Sequence, residues 1–376
     1  MSAPSTEPAG QPRIFLTTDA VGGVWTYALD LARGSSARGM AITLAVLGPP
    51  ASPAQMAEAG SIPGCRLLPT GLPLDWAGAD AATLRAAGRA LAALAAEEGA
   101  ELVHLNSPAL AAHAGFAAPL VIGCHSCVAT WWHTVRGTAL PPDFAWQRDL
   151  VAAGYHAAKL LVAPSASFAR MTERLYDLPV PPRVVHNGRA ARSPTPAAAS
   201  REGILAAGRL WDEAKNIALL DRIAPRLAIP IEVAGPLVAP HGGTARLTKL
   251  RHLGLLGAEE MAHRFAAAGI FVSPARYEPF GLAVLEAAQA GCALLLSDIP
   301  SFREIWGDAA DYAAPDDEAG FLEGLHRLSA DAALRARRGA AAQQRAARYS
   351  GDAMVEGMIA LYRDMLPQRI RLEAAA

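Results

Sequence analysis

Residues 276–291 read Arg-Tyr-Glu-Pro-Phe-Gly-Leu-Ala-Val-Leu-Glu-Ala-Ala-Gln-Ala-Gly, directly after an apolar run at 270–273 that is expected to be a strand. Such a loop opens a helix. Pro279 suits a helix start, because its missing N–H would have no helical partner there, and Gly281 lets the backbone approach a ligand closely. The free N–H groups of Phe280, Gly281 and Leu282 are then expected to face outward with the positive end of the helix dipole, where a diphosphate binds well. Two carboxylates flank the start. Glu278 precedes the helix and is placed to accept hydrogen bonds from sugar hydroxyls. Glu286, about one turn inside, is placed to hold the two hydroxyls of a ribose, against the plainer reading of a solvated helix face.

Working outward, short β-type runs alternate with longer helical patterns along the whole chain. Runs at 14–17, 42–47, 102–105, 120–124, 160–163 and 183–185, with helices from about 24 and 165, predict a parallel sheet wrapped by helices. A stretch at 189–201, rich in proline, serine and alanine, reads as a linker. A second series follows at 203–207, 231–234, 270–273 and 293–297, with a helical tail from about 318. The fold class is therefore α/β, with two Rossmann-like domains facing each other across a cleft. The expected division is a disordered tail at 1–12, a first domain at 13–188, the linker, a second domain at 202–352, and a terminal helical segment at 353–376 crossing back to the first. No solenoid-type repeat is expected.

Bulk properties agree with this division. A chain of 376 residues exceeds what one core usually supports. Thirty-four basic and 35 acidic residues leave a net charge of −1, which removes the electrostatic reason to expect nucleic acid as a partner. The first dozen residues are polar, unlike a secretory signal, and four cysteines are too few for a disulfide framework, so a cytoplasmic location is expected. The alanine-rich stretch at 79–96 carries Asp80, Arg85 and Arg89 and suits an amphipathic helix better than a membrane span. A basic run at 335–348 is read as a solvated helix face in preference to peripheral membrane contact. A monomer or weak dimer is expected.

Three further segments carry candidate chemistry. Gly208-Arg-Leu-Trp-Asp-Glu-Ala-Lys-Asn216 follows the first strand of the second domain, where Arg209 and Lys215 can reach the cleft and hold a pyrophosphate as its charge grows. Asp19-Ala-Val-Gly-Gly-Val-Trp-Thr26 follows the first strand of the chain, and Gly22 and Gly23 form a turn that brings backbone close to a phosphate or acceptor. Gly123-Cys-His-Ser-Cys-Val-Ala-Thr-Trp-Trp-His133 places His125 at a strand end facing the cleft, able to bond a sugar or an acceptor. The Cys124-x-x-Cys127 spacing stays open between a redox pair, half of a metal site, and two small buried residues. Trp131 and Trp132 stay open between an acceptor platform and plain packing.

Together these segments resemble the retaining glycosyltransferases of family four, also called group one, with the GT-B fold. The resemblance extends over most of the chain. Its most specific part is Glu278-x7-Glu286, supported by Gly-Arg-Leu…Lys-Asn at 208–216 and Val-Val-His-Asn-Gly at 184–188. Leu255-Leu-Gly-Ala258 looks like the family's base-contacting loop and brings Leu256 into the candidate set. The resemblance implies that Arg209 and Lys215 hold the diphosphate, Glu286 the ribose and Glu278 the transferred sugar. Phe280, Gly281 and Leu282 lie beside it, Gly22 and Gly23 close the cleft, and His125 stands near the sugar. The residue after that histidine is often acidic in such enzymes, whereas here it is Ser126. It further implies a nucleotide-sugar donor, with a uridine diphosphate hexose as the expected one, and transfer with retention, with no metal and no cofactor. The acceptor is a small molecule, a sugar or a lipid-linked compound. The alternatives are a nucleotide-sugar epimerase or hydrolase of the same fold, a catalytically silent nucleotide-sugar binding protein, and, with least support, a phosphorylase using pyridoxal phosphate.

Overall fold

A computed structural model describes residues 11–76, 80–190, 201–240 and 242–366. In the first half, β1 (Arg13–Asp19), α1 (Gly23–Ser36), β2 (Ala41–Leu47), α2 (Pro53–Gly60), β3 (Cys65–Pro69) and α3 (Ala81–Glu97) come first. They are followed by β4 (Leu102–Leu105), β5 (Leu120–Gly123), α4 (Val128–Val135), α5 (Ala145–Ala157), β6 (Leu160–Ala163), α6 (Ala166–Leu175) and β7 (Arg183–Val184). The seven strands form one sheet in the order β3-β2-β1-β4-β5-β6-β7, every pair parallel. Six of the seven residues of β1 are buried, because helices cover both faces of the sheet.

The second half repeats the plan. Its strands are β8 (Gly203–Ala207), β9 (Ile231–Ala234), β10 (Arg251–His252), β11 (Ala268–Ser273), β12 (Ala293–Ser297) and β13 (Asp311–Ala313). They pair in the order β10-β9-β8-β11-β12-β13, again all parallel. The helices are α7 (Ile217–Ile223), α8 (Ala258–Ala267), α9 (Leu282–Gln289), α10 (Pro300–Trp306), α11 (Glu318–Ala330), α12 (Ala332–Ala346) and α13 (Gly351–Arg363). Strand order reverses beside β1 in one sheet and beside β8 in the other, which is where open parallel sheets place ligands. Sequence reasoning missed β3, β10 and β13, short edge strands without a long apolar run.

α13 crosses back. Its Met354, Val355, Met358, Ile359 and Tyr362 join the same buried cluster as Ile14 and Leu16 of β1 and Trp25 and Leu29 of α1. Tyr362 also places its hydroxyl 2.6 Å from Nδ1 of the buried His104 on β4. The tail at 1–10, residues 191–200 of the expected linker, and 367–376 lie outside the described residues. Arg189, read from sequence as the start of a linker, is instead 9% exposed and bridges to Ser350. The alanine-rich stretch forms α3, capped by Asp80 accepting from the N–H of Thr83. Among the described residues no helix is long and apolar enough to cross a membrane.

Candidate active site

α9 starts at Leu282, three residues beyond Pro279, where the sequence suggested a helix start; Pro279 lies in the preceding loop, its carbonyl accepting from Ser165 Oγ. Gly281 occupies its N-cap with φ of 94°, in the left-handed region, and a β-carbon there would stand 3.1 Å from Phe302. No side chain caps this start, so its N–H groups are available to an anion. Phe280 is buried in the second domain's core, edge-on to Tyr349, so only its backbone serves the site. Glu278 stands at the mouth of the loop, its carbonyl accepting from Ser301 Oγ. Its carboxylate meets the Lys215 ammonium. The loop after β8 and the loop after β11 thus bring an anchored cation and an anchored carboxylate together.

Arg209 shares this edge. Its Nη2 lies 2.8 Å from Asp212 Oδ2, while Asp212 Oδ1 accepts from the Trp131 indole N–H at 3.0 Å. Because Trp131 belongs to α4 of the first domain, Asp212 clamps the two domains while aiming the guanidinium. Trp131 is a bonded interdomain contact, and Trp132 packs at a tilt against Phe144, ring centroids 5.6 Å apart. Burial pushes the Asp212 carboxyl up, but Arg209, the Trp131 indole, Lys215 and the Ala214 N–H together outweigh it and lower its pKa.

From the other side, Asp19 Oδ1 accepts from the N–H groups of Val21 at 2.8 Å and Gly22 at 3.2 Å, shaping the glycine turn. Burial raises the pKa of Asp19, with its two backbone bonds and Arg209 pulling the other way. A β-carbon on Gly22 would lie 3.7 Å from Arg209 Nη1, and one on Gly23 would lie 3.5 Å from Leu282 Cδ1. The two loops therefore face each other across the cleft. Gly22 has an extended φ of −155°, outside the left-handed region that favours glycine.

His125 follows β5 at the same edge. Asn106 donates through Nδ2 to Thr17 O at 2.6 Å, so its Oδ1 is the acceptor that faces His125 Nε2 at 2.8 Å. The imidazole thus carries its proton on Nε2 and keeps Nδ1 as an acceptor. Burial beside Tyr27, whose ring packs 4.7 Å away, lowers its pKa to about 4, so it is neutral at physiological pH. Sequence reasoning missed Asn106, which lies in no glycine- or charge-marked motif.

Glu286 lies on the inner side of α9, and its Oε1 stands 2.7 Å from Arg189 Nη2. This corrects the plainer reading of a solvated helix face. Leu256 is half-buried beside Leu255, which is 81% exposed in the loop between β10 and α8. That loop is drawn in by Gly235 N–H donating to Gly254 O at 2.8 Å, and a β-carbon on Gly235 would overlap the carbonyl of Gly208. The loops after β8, β9 and β10 stack closely for that reason.

The cysteines are all free. Cys124 is fully buried, which pushes its thiol up to about 12, and Cys127 Sγ lies 3.0 Å from the Tyr176 hydroxyl. The small-buried-residue reading fits this environment better than the redox pair. Among the described residues no group of three His, Cys, Asp or Glu side chains is gathered to hold a metal ion.

Two family models cover most of these elements. "Glycosyltransferase Family 4" matches residues 21–190 and "Glycosyl transferases group 1" matches residues 201–331. The chain belongs to the group 1, family 4 glycosyltransferases. Among curated relatives of this family, the phosphatidyl-myo-inositol mannosyltransferase of Mycolicibacterium smegmatis is 27% identical over 188 residues, covering 46% of this chain and 49% of that protein. The chain spans between 18% and 49% of the length of the curated relatives it matches. Of solved structures, the sucrose-phosphate synthase of Thermosynechococcus elongatus superposes with a TM-score of 0.78 at 19% identity, over 97% of this chain and 100% of that one. The Anabaena protein Alr3699/HepE, solved with UDP-glucose, gives 0.72 at 15%, over 94% and 99%. At these identities the superpositions show the shared GT-B fold of this glycosyltransferase.

Proposed function

We propose that this group 1 glycosyltransferase moves a hexosyl group from a nucleoside diphosphate sugar to an acceptor hydroxyl with retention and without a metal. The observation that carries the reading is the convergence of Arg209, Lys215, Glu278 and the uncapped start of α9 opposite Gly22 and Gly23. Two cations and a helix N-terminus suit a diphosphate that gains charge as it leaves, and the adjacent carboxylate suits the hydroxyls of the sugar it carries. A uridine base is favoured by the Anabaena neighbour, which was solved with UDP-glucose.

In the reaction proposed, the bond from the anomeric carbon to the diphosphate oxygen breaks first, leaving an oxocarbenium-like centre. The acceptor oxygen bonds to the same face, and its proton passes to an oxygen of the departing phosphate. Arg209 and Lys215 take the electrostatic part that a divalent ion takes elsewhere. Glu278, already matched to Lys215, orients the sugar and needs no covalent role. His125, neutral with Nδ1 as acceptor, receives a hydrogen bond from a sugar or acceptor hydroxyl.

A thermal-shift panel tests the reading, using uridine, guanosine and adenosine diphosphates and their glucose, mannose and N-acetylglucosamine conjugates. A rise in melting temperature with one base is expected, followed by release of that diphosphate only when an acceptor is supplied. No shift with any of them would overturn the nucleotide-sugar reading, and a shift without transfer to any acceptor would turn it toward a silent binding protein.

A further inference from the structure

Arg189 has no place in the motifs that mark the family resemblance, yet both terminal nitrogens of its guanidinium are engaged by carboxylates. Its side chain is 10% exposed and bonds two carboxylates from different domains: Nη1 lies 2.7 Å from Asp30 Oδ2 on α1, and Nη2 lies 2.7 Å from Glu286 Oε1 on α9. Its backbone is held as firmly. The N–H donates to Tyr349 O at 3.2 Å, and the carbonyl accepts from Gln289 Nε2 at 3.0 Å, on the same helix as Glu286. Gly188 before it packs directly on the Ser350 carbonyl, with no room for a β-carbon.

A guanidinium with both ends engaged is a rigid spacer, since its planar fork fixes the two partners in one geometry. One end sets Glu286. The other sets Asp30, about two turns along α1 from the Gly22–Gly23 turn that faces the candidate donor pocket. Asp30 is held in turn by the turn-spaced Arg33 at 3.4 Å, so the anchor is not a free surface carboxylate.

We propose that Arg189 is a positioning residue for nucleotide recognition: it orients the Glu286 carboxylate toward the ribose and registers α9 against α1 through Asp30. The proposal rests on the ribose reading of Glu286. Arg189 engages Oε1 from within the protein, and the carboxylate it fixes in place is the group set to take the ribose hydroxyls.

The test is a double-mutant cycle read by calorimetric titration of whichever of uridine, guanosine or adenosine diphosphate the parent chain binds most tightly. Arg189→Met is expected to weaken binding about tenfold in the parent and less than twofold in a Glu286→Ala background. Arg189→Lys, which keeps the charge but reaches only one carboxylate, should fall between. Asp30→Ala should weaken binding at least threefold, again only while Glu286 is present. Parent-like affinity in Arg189→Met, or an equal loss in both backgrounds, overturns the positioning role. Should Arg189→Met not fold, Asp30→Ala decides, and an unchanged affinity there overturns the coupling to α1. Unchanged affinity in Glu286→Ala alone refutes the ribose reading itself, a result distinguishable from failure of the Arg189 proposal.

Discussion

The hydroxyl of Tyr277 donates to Ser126 Oγ at 2.9 Å, joining the residue before Glu278 in the second domain to the residue after His125 in the first. Tyr277 is buried inside the first domain's core cluster, and its hydroxyl also lies 2.9 Å from Thr130 Oγ1. Ser126 stands where the family resemblance leads one to expect an acid. Here the position is used for a neutral interdomain bond that locates Glu278 relative to His125.

Removing that hydroxyl therefore tests the closed arrangement. Tyr277→Phe keeps the ring in its pocket but loses bonds worth about 1 kcal/mol. We expect the melting temperature to fall by roughly 2 °C and the transfer rate to fall with it. A variant as stable and as active as the parent would show that the interdomain bond is not formed in solution.

The two carboxylates of residues 276–291 should separate in their effects. Glu286→Ala is expected to weaken binding of the nucleotide itself, by about tenfold for a lost charge-assisted bond of roughly 1.4 kcal/mol. Glu278→Ala should mainly lower kcat for sugar transfer. Equal nucleotide affinity in both variants and the parent would refute this division.

Lys215→Met leaves Glu278 as an unpaired carboxylate in a half-buried position. The expected outcome is a loss of at least two orders of magnitude in transfer rate, about 2.7 kcal/mol of transition-state stabilisation, with weaker diphosphate binding. Activity of the parent should persist undiminished in excess chelator. A strict requirement for an added divalent ion would contradict the role given to Arg209 and Lys215.

Stability should fall on mild acidification. In the unfolded chain a histidine titrates near 6.5, whereas burial holds His125 down to about 4 and His104 down to about 3. Between those values the unfolded chain binds protons that the folded one refuses. Stability is then fully present above about pH 6.5 and is lost as pH falls, by up to about 1.4 kcal/mol per pH unit for each group. Melting curves from pH 7 to 5 should show a shallower decline for His125→Asn than for the parent. Identical slopes would mean that His125 is hydrated and charges normally.

Acid should also loosen the domain contact at α6. Glu304 of α10 accepts from the N–H groups of Ala166 and Ser167 at 2.7 Å each. Burial opposes its charge, but these bonds and His186 outweigh that and hold it down to about 2. Its stabilising effect is therefore complete above about pH 4.5 and fades below. Glu304→Gln should destabilise the protein at neutral pH and converge with the parent only as pH falls through about 2.

The sequence by itself determined the two parallel α/β sheets and the presence of a loop-to-helix transition after β11, though not that it is Gly281, and not Pro279, that sits at the helix boundary. Buried strands, helix starts and glycine turns are written in local composition and period, so 102–105, 160–163, 203–207, 231–234 and 293–297 coincide with their observed strands. It also singled out Gly22, His125, Arg209, Lys215, Glu278 and Glu286 by residue type and position. Only the tertiary structure decided what those groups touch. That Glu278 meets Lys215, that Trp131 ties to Asp212, and that Arg189 spans Asp30 and Glu286 depend on contacts between segments far apart in the chain. Such pairings arise from how two sheets and a crossing helix pack, and no local period encodes them. The same packing sets Asn106 beside His125 and so selects the imidazole's tautomer.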